Sequence, residues 1–311
     1  MDDTLARRGL LGAAPRALRD DAADTVRGIL LVALAYVVMT AGDVAGKWAL
    51  GAAGVAGVMM GRGASGALTV AALAVYEGDW RRLRPVRWRL VLLRSALHSM
   101  VSLSFYVAWL RIPLADAYAI GFTAPLIMTV LAVPMLGERI RWRRMLSTAI
   151  GFSGVLIMIR PGSALWDPAL LILVPGILAM AVTHIMTRQL STTETAECLT
   201  FWLMLAHLPA GTLMLLAFPS TWALPADVWL ALALLGALNG TAHWLMARAY
   251  ALAPVAAVAP YEYTMLIWGG IAGFVVFHEA PGWSSLAGAA VVAAAGLYNL
   301  HRERVRREAG R

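Results

Sequence analysis

Charge is scarce in this sequence. Only 14% of its 311 residues are Asp, Glu, Lys or Arg, where a soluble domain carries roughly a quarter. A water-facing surface needs more than that, so the soluble globular class is excluded. Cysteine is nearly absent. The lone Cys198 rules out an intramolecular disulfide and chemistry built on a cysteine pair. No His-x-x-x-His or Cys-x-x-Cys spacing occurs, His184 and His207 stand isolated, and no metal or cofactor is expected. Alternating ten-residue segments are missing too, which argues against a transmembrane β-barrel.

What is present is apolar sequence, 60% of the chain, in continuous runs rich in Ala, Leu and Val. A bilayer core about 30 Å thick needs roughly 20 such residues per helix. The pattern predicts an all-α integral membrane protein with ten transmembrane helices, at 28–50, 54–76, 90–110, 113–136, 143–160, 168–188, 197–218, 227–250, 254–278 and 282–300. Little is left over for a large soluble domain. Residues 1–27 read as a cytoplasmic tail followed by a retained first helix, because the apolar run after them is too long for a cleaved leader. Residues 301–311 read as a basic cytoplasmic tail.

Arginine sets the expected orientation. With the N-terminus inside, the inner segments hold Arg7, Arg8, Arg16, Arg19, Arg27, then Arg81, Arg82, Arg84, Arg87, Arg89, then Arg139, Arg141, Arg143, Arg144, then Arg188 and the C-terminal cluster; the outer ones hold little beyond Arg111 and Arg160. That is the positive-inside asymmetry, and it places both termini in the cytoplasm of a cell with this inner membrane. The net charge of +8 therefore serves topology and contact with anionic lipid rather than nucleic acid.

The chain repeats itself. "RIPLADAYAIGFTAPLIMTVLAVPMLGERIRW" (111–142) aligns without a gap on "LAPVAAVAPYEYTMLIWGGIAGFVVFHEAPGW" (252–283), matching Pro113 with Pro254, Ala115 with Ala256, Phe122 with Tyr263, Thr123 with Thr264, Glu138 with Glu279 and Trp142 with Trp283. The offset carries the fourth span to the ninth. Five is odd, so the second copy runs inverted through the membrane, and residues 28–160 and 168–300 become two inverted five-helix repeats. That architecture suits alternating access to a site near the midplane.

These segments, with "GFSGVLIMIRPG" (151–162), resemble the EamA-type branch of the drug/metabolite transporter superfamily over about residues 27–301. The resemblance implies a secondary transporter of small metabolites in a bacterial inner membrane. Relatives sharing a "DVAGKW"-like first helix and an "APYEYT"-like ninth helix resemble carriers of riboflavin, S-adenosylmethionine or opine-type metallophores.

Glu262 interrupts an otherwise uncharged run, Val255–Phe277, between Tyr261 and Tyr263. Ionisable groups in spans usually face a cavity and act there, so Glu262 reads either as a coupling carboxylate or as a protonated hydrogen-bonding strut. Asp43 and Lys47 share a helix face, and Arg62 enters the next span at similar depth. The three form either an outer-side polar network or a structural ion pair beside a snorkelling arginine. His98, Tyr106 and Trp109 on the third span, and Asn239, His243, Trp244 and Arg248 on the eighth, are further candidates. The aromatics read as a stacking wall or an interfacial belt, and the polar pair as site residues or interhelical bonds. Glu138 and Glu279 read as helix-end anchors.

The expected function is secondary transport of a small polar or aromatic metabolite, with protons as a candidate coupling ion, by a monomer or homodimer. The alternative is a membrane-embedded enzyme acting on a lipid-linked substrate. It lacks the loop motif such chemistry needs, and a receptor or scaffold would bring a signalling domain.

Overall fold

The computed structural model describes residues 22–121, 123–124, 126–127, 130–131, 142–159, 169–217, 222–252, 261, 264–279 and 282–309. Among them every regular element is helical: α1 (Ala22–Tyr76), a 3-10 turn (Trp80–Leu83), α2 (Trp88–Trp109), α3 (Leu114–Gly121), α4 (Trp142–Ile159), α5 (Ala169–Leu190), α6 (Ala196–Leu205), α7 (His207–Ala217), α8 (Ala226–Leu252), α9 (Thr264–Phe277) and α10 (Trp283–Ala309). Helical residues occur in each of the ten predicted spans. Among the described residues four runs are long and apolar enough to cross a bilayer unaided, Ala23–Tyr76, Trp88–Trp109, Ala196–Leu216 and Ala226–Ala249.

The first two predicted spans share α1, which is broken only at Gly54 (φ 65, ψ 173). Glycine carries that positive φ without a Cβ clash. A straight helix would separate residues 43 and 62 by about 28 Å at 1.5 Å per residue, yet Arg62 lies 3.8 Å from Asp43. The chain therefore doubles back at Gly54, and α1 is a hairpin of two arms. The seventh predicted span divides at Ala206 into α6 and α7, because Pro209 has no N–H to give to the carbonyl of Leu205. α10 continues to Ala309, past the predicted end at 300.

Small residues set the packing. α1 packs most extensively on α8, and a Cβ on Gly236 would meet the backbone of Arg62 and Gly66 at 2.6 Å. The other large interfaces join α4 to α10, α2 to α5 and α6, α3 to α9, and α1 to α6, α7 and α9. Both arms of α1 meet α8, through Gly42 on the first and Gly66 on the second.

The outer surface is apolar. Leu30, Leu68, Leu216 and Phe274 are 62–81% exposed; apolar surface on that scale suits lipid and would be an association liability in water.

Between α1 and α2 the chain is strapped to the start of α6. Glu194 accepts backbone N–H bonds from Val86 (2.9 Å) and Arg87 (2.7 Å). Thr195 donates to Arg82 O (2.6 Å), and Trp202 Nε1 to Leu83 O (3.0 Å). Thr195 also caps α6 by accepting from Cys198 N (3.1 Å).

Candidate functional site

A cavity opens among α1, α2, α3, α5, α8 and α9. Its empty space is about 870 Å³ with the open mouth included.

Asp43 and Arg62, only 6% and 5% exposed, anchor one wall. Asp43 Oδ2 accepts from the Tyr118 hydroxyl (2.8 Å), and Oδ1 accepts from Asn239 Nδ2 (3.2 Å) with the Arg62 guanidinium 3.8 Å away. Arg62 donates to the Tyr106 hydroxyl (3.0 Å). A buried carboxylate is costly unless it is paired and hydrogen-bonded, and three elements converge to do that here. Not all the polar capacity is used. Among the described residues Arg62 Nε, Trp109 Nε1 and Asn239 Oδ1 are buried with no hydrogen-bond partner, two donors and one acceptor on cavity-lining side chains. Most buried polar atoms in native proteins are satisfied, which sets these three apart.

Trp109 sits at the centre of an aromatic wall, with ring centroids 5.2 Å from Tyr106, 6.4 Å from Phe105 and 6.4 Å from Tyr118. Met39, Met180, Met246 and Met265 complete much of the lining, and thioether side chains adapt to the shape of what they cover. Flat, partly polar ligands fit that combination.

Three histidines that are remote in sequence meet at the polar end. His98 lies 5.9 Å from His207 and 5.3 Å from His243, ring to ring. His207 Nδ1 donates to Leu203 O (2.8 Å) and its Nε2 meets the Ser102 hydroxyl (2.9 Å). Among the described residues no group of three or more His, Cys, Asp or Glu is placed to hold a metal ion.

Of the residues singled out in the sequence, Asp43, Arg62, His98, Tyr106, Trp109, Asn239 and His243 line the cavity. Lys47 does not join Asp43 and Arg62: its ammonium lies 2.7 Å from both carboxylate oxygens of Glu279. Trp244 faces away, donating to Glu197 (3.2 Å) beneath the Arg248 guanidinium. Arg248 in turn pairs with Glu77 and Glu197, and Arg82 with Glu77 (2.6 Å). Glu262, Tyr263 and Glu138 lie outside the described residues.

Tyr118, Phe105 and the methionines line the cavity without having been singled out, and His184, read as isolated, lines it too. The signal that finds most of them is the repeat. At the offset of 141 that relates Pro113 to Pro254, six pairs of lining residues coincide: Met39 with Met180, Asp43 with His184, His98 with Asn239, Ser102 with His243, Phe105 with Met246, and Ala124 with Met265. Much of the cavity wall is thus repeat-related, though Arg62, Tyr106, Trp109 and Tyr118 fall outside these pairs.

Known proteins resemble this chain. An S-adenosylmethionine uptake transporter of Rickettsia bellii is 28% identical over 62% of this chain and 65% of its own length. A riboflavin transporter of Rhizobium johnstonii is 33% identical over 63% of this chain and 65% of its own, and one of Brucella anthropi is 26% identical over 74% and 82%. This chain thus spans slightly under two thirds of the first two relatives. A solved crystal structure superposes with a TM-score of 0.65 at 17% identity, over 89% of this chain and 98% of that one, a likeness of fold. The sequence profile described as the EamA-like transporter family matches residues 26–160 and again 167–299. Covering most of the chain in two copies, that match shows that the protein belongs to the EamA-like transporter family.

Proposed function

We propose that the protein is a secondary carrier for a small metabolite with a flat heteroaromatic part, working by alternating access between two inverted halves of five spans each. One observation carries this reading: the cavity is lined by repeat-related pairs from both halves. A wall that maps onto itself when the halves are exchanged can be presented to either side of a membrane in turn. The aromatic wall and the unpartnered Trp109, Arg62 and Asn239 atoms supply stacking and an edge of donors and an acceptor. The S-adenosylmethionine and riboflavin named for the relatives both contain a planar nitrogen heterocycle, which supports the same ligand class. The lipid-enzyme alternative draws no support from them.

Glu262 is the proposed coupling carboxylate. Its repeat mate is Gly121, which lines the cavity, and that correspondence supports the role. The family resemblance supports residence in a bacterial inner membrane, and the arginine asymmetry supports cytoplasmic placement of both termini.

Purified protein should be screened by thermal shift with riboflavin and S-adenosylmethionine, and the better ligand tested for uptake into proteoliposomes with and without a proton gradient. A melting shift together with gradient-dependent uptake is expected. No uptake of any stabilising ligand would refute the carrier reading.

A further inference from the structure

Four of the chain's six histidines stand in or against the cavity. His98, His184 and His243 line it, and His207 lies 5.9 Å from His98, ring to ring. Two of the four have their protons assigned by the backbone. His207 Nδ1 is 2.8 Å from Leu203 O and His243 Nδ1 is 3.0 Å from Asn239 O; a carbonyl only accepts, so each of these rings carries a proton there. His98 touches both rings and makes no hydrogen bond of its own among the described residues. Its imidazole keeps an N–H to give.

The charged side chains acting on His98 are Arg62 and Arg94, beside the rings of His207 and His243, with no carboxylate among them. The same two arginines act on His243. Arg94 stands one turn from His98 on α2, is 7% exposed, and donates to neutral oxygens, Thr187 Oγ1 (2.6 Å) and Leu199 O (3.1 Å). A buried charge is costly unless it is paired. Asp43, the carboxylate of the cavity wall, is already engaged by Tyr118, Asn239 and Arg62.

The repeat sharpens the contrast between the two halves. At the offset of 141, Asp43 falls on His184 and His98 on Asn239. On α1 and α8 those two positions hold a carboxylate and an amide 3.2 Å apart; on α5 and α2, which also pack together, both are histidine. Among the described residues, the negative group that one half supplies at this place has no counterpart in the other.

We propose that the histidine end of the cavity receives an anionic oxygen group of the ligand, a carboxylate or a phosphate, with the His98 N–H as the donor that selects it. This deepens the carrier reading and rests on it, narrowing the ligand to a flat heterocycle that bears an acid.

Two pairs of probes distinguish the acids. S-adenosylhomocysteine and its methyl ester differ by a carboxylate charge, riboflavin 5′-phosphate and riboflavin by a phosphate. The purified full-length protein is titrated with all four by calorimetry at one pH. In one pair the acid should bind about tenfold tighter than its partner, equivalent to about 1.4 kcal/mol, and the pair that shows it names the acid. His98→Phe keeps a ring and removes the N–H, so it should erase the preference while the partner binds as before. His98→Asn, the residue its repeat mate carries, should restore it. Equal affinities within both pairs, failure of both acids to bind, or an equal loss for acid and partner in His98→Phe would overturn the inference; the comparison within the parent stands even if the Phe variant does not fold. If the acid preference is found but neither acid enters proteoliposomes, the carrier reading fails and the anion site stands. Uptake of riboflavin or S-adenosylmethionine with no acid preference fails the anion site alone.

Discussion

Asn239 Nδ2 lies 3.2 Å from Asp43 Oδ1 and 3.1 Å from Leu235 O, so one amide joins the first arm of α1 to α8 beside the cavity. It can approach because residue 42 is glycine: a Cβ there would fall 2.5 Å from Asn239 Nδ2 and 3.2 Å from Leu235 O. The close helix contact and the polar site are thus one feature.

Gly42→Ala should therefore push Asn239 off Asp43. We expect overpacking to cost about 1–3 kcal/mol, with ligand affinity falling more than stability. Thermal unfolding and riboflavin titration of the same sample separate the two; an affinity equal to the parent's would show that Asn239 does not help to shape the site.

Asp43→Asn should leave the buried Arg62 guanidinium without its counter-charge, a loss of about 3–5 kcal/mol for a broken buried pair. Adding Arg62→Met should recover part of it. Denaturant unfolding in detergent gives the double-mutant cycle, and strictly additive effects would show that the 3.8 Å pair carries no coupling.

Trp109→Phe removes the unpartnered N–H and keeps a ring. Stability should hold while ligand binding weakens by about 0.5–1.5 kcal/mol, the worth of a typical hydrogen bond; Trp109→Ala should weaken it further. Equal binding by the Phe variant and the parent would mean that the ligand uses the ring alone.

Glu262→Gln keeps the shape of the protonated acid. Uptake into proteoliposomes should then lose its pH dependence while ligand binding persists, and Glu262→Ala should damage both. A Gln variant with the parent's pH profile would move the coupling role to Asp43.

Cysteines introduced at 81–89 and 139–144 in a Cys198→Ser background should resist an impermeant maleimide added outside intact cells, in keeping with the arginine asymmetry. Reaction there without permeabilisation would invert the orientation.

Much of this protein is legible in one dimension. Scarce charge and long apolar runs establish a helical membrane protein because a bilayer admits little else. The gapless match of 111–142 with 252–283 exposes a repeat because it is itself a linear pattern. Seven of the site candidates line the cavity, His98 among them, since a polar or aromatic side chain within an apolar span is conspicuous.

Partnership is not linear, and the tertiary structure alone decided it. Lys47 sits four residues from Asp43, yet a carboxylate 232 positions away holds it, because the end of α9 packs closer to its ammonium than its own helix neighbour does. Trp244 and His243 are adjacent in sequence but point to opposite destinations, an ion cluster and the cavity, since neighbouring residues on a helix are turned about 100° apart. Composition and periodicity selected the solvent, the helices and the repeat, which depend on each residue's own chemistry. Which charge meets which, and where an empty space is left between them, depends on how several helices cross, and that is fixed only when small residues such as Gly42 and Gly236 let the backbones close.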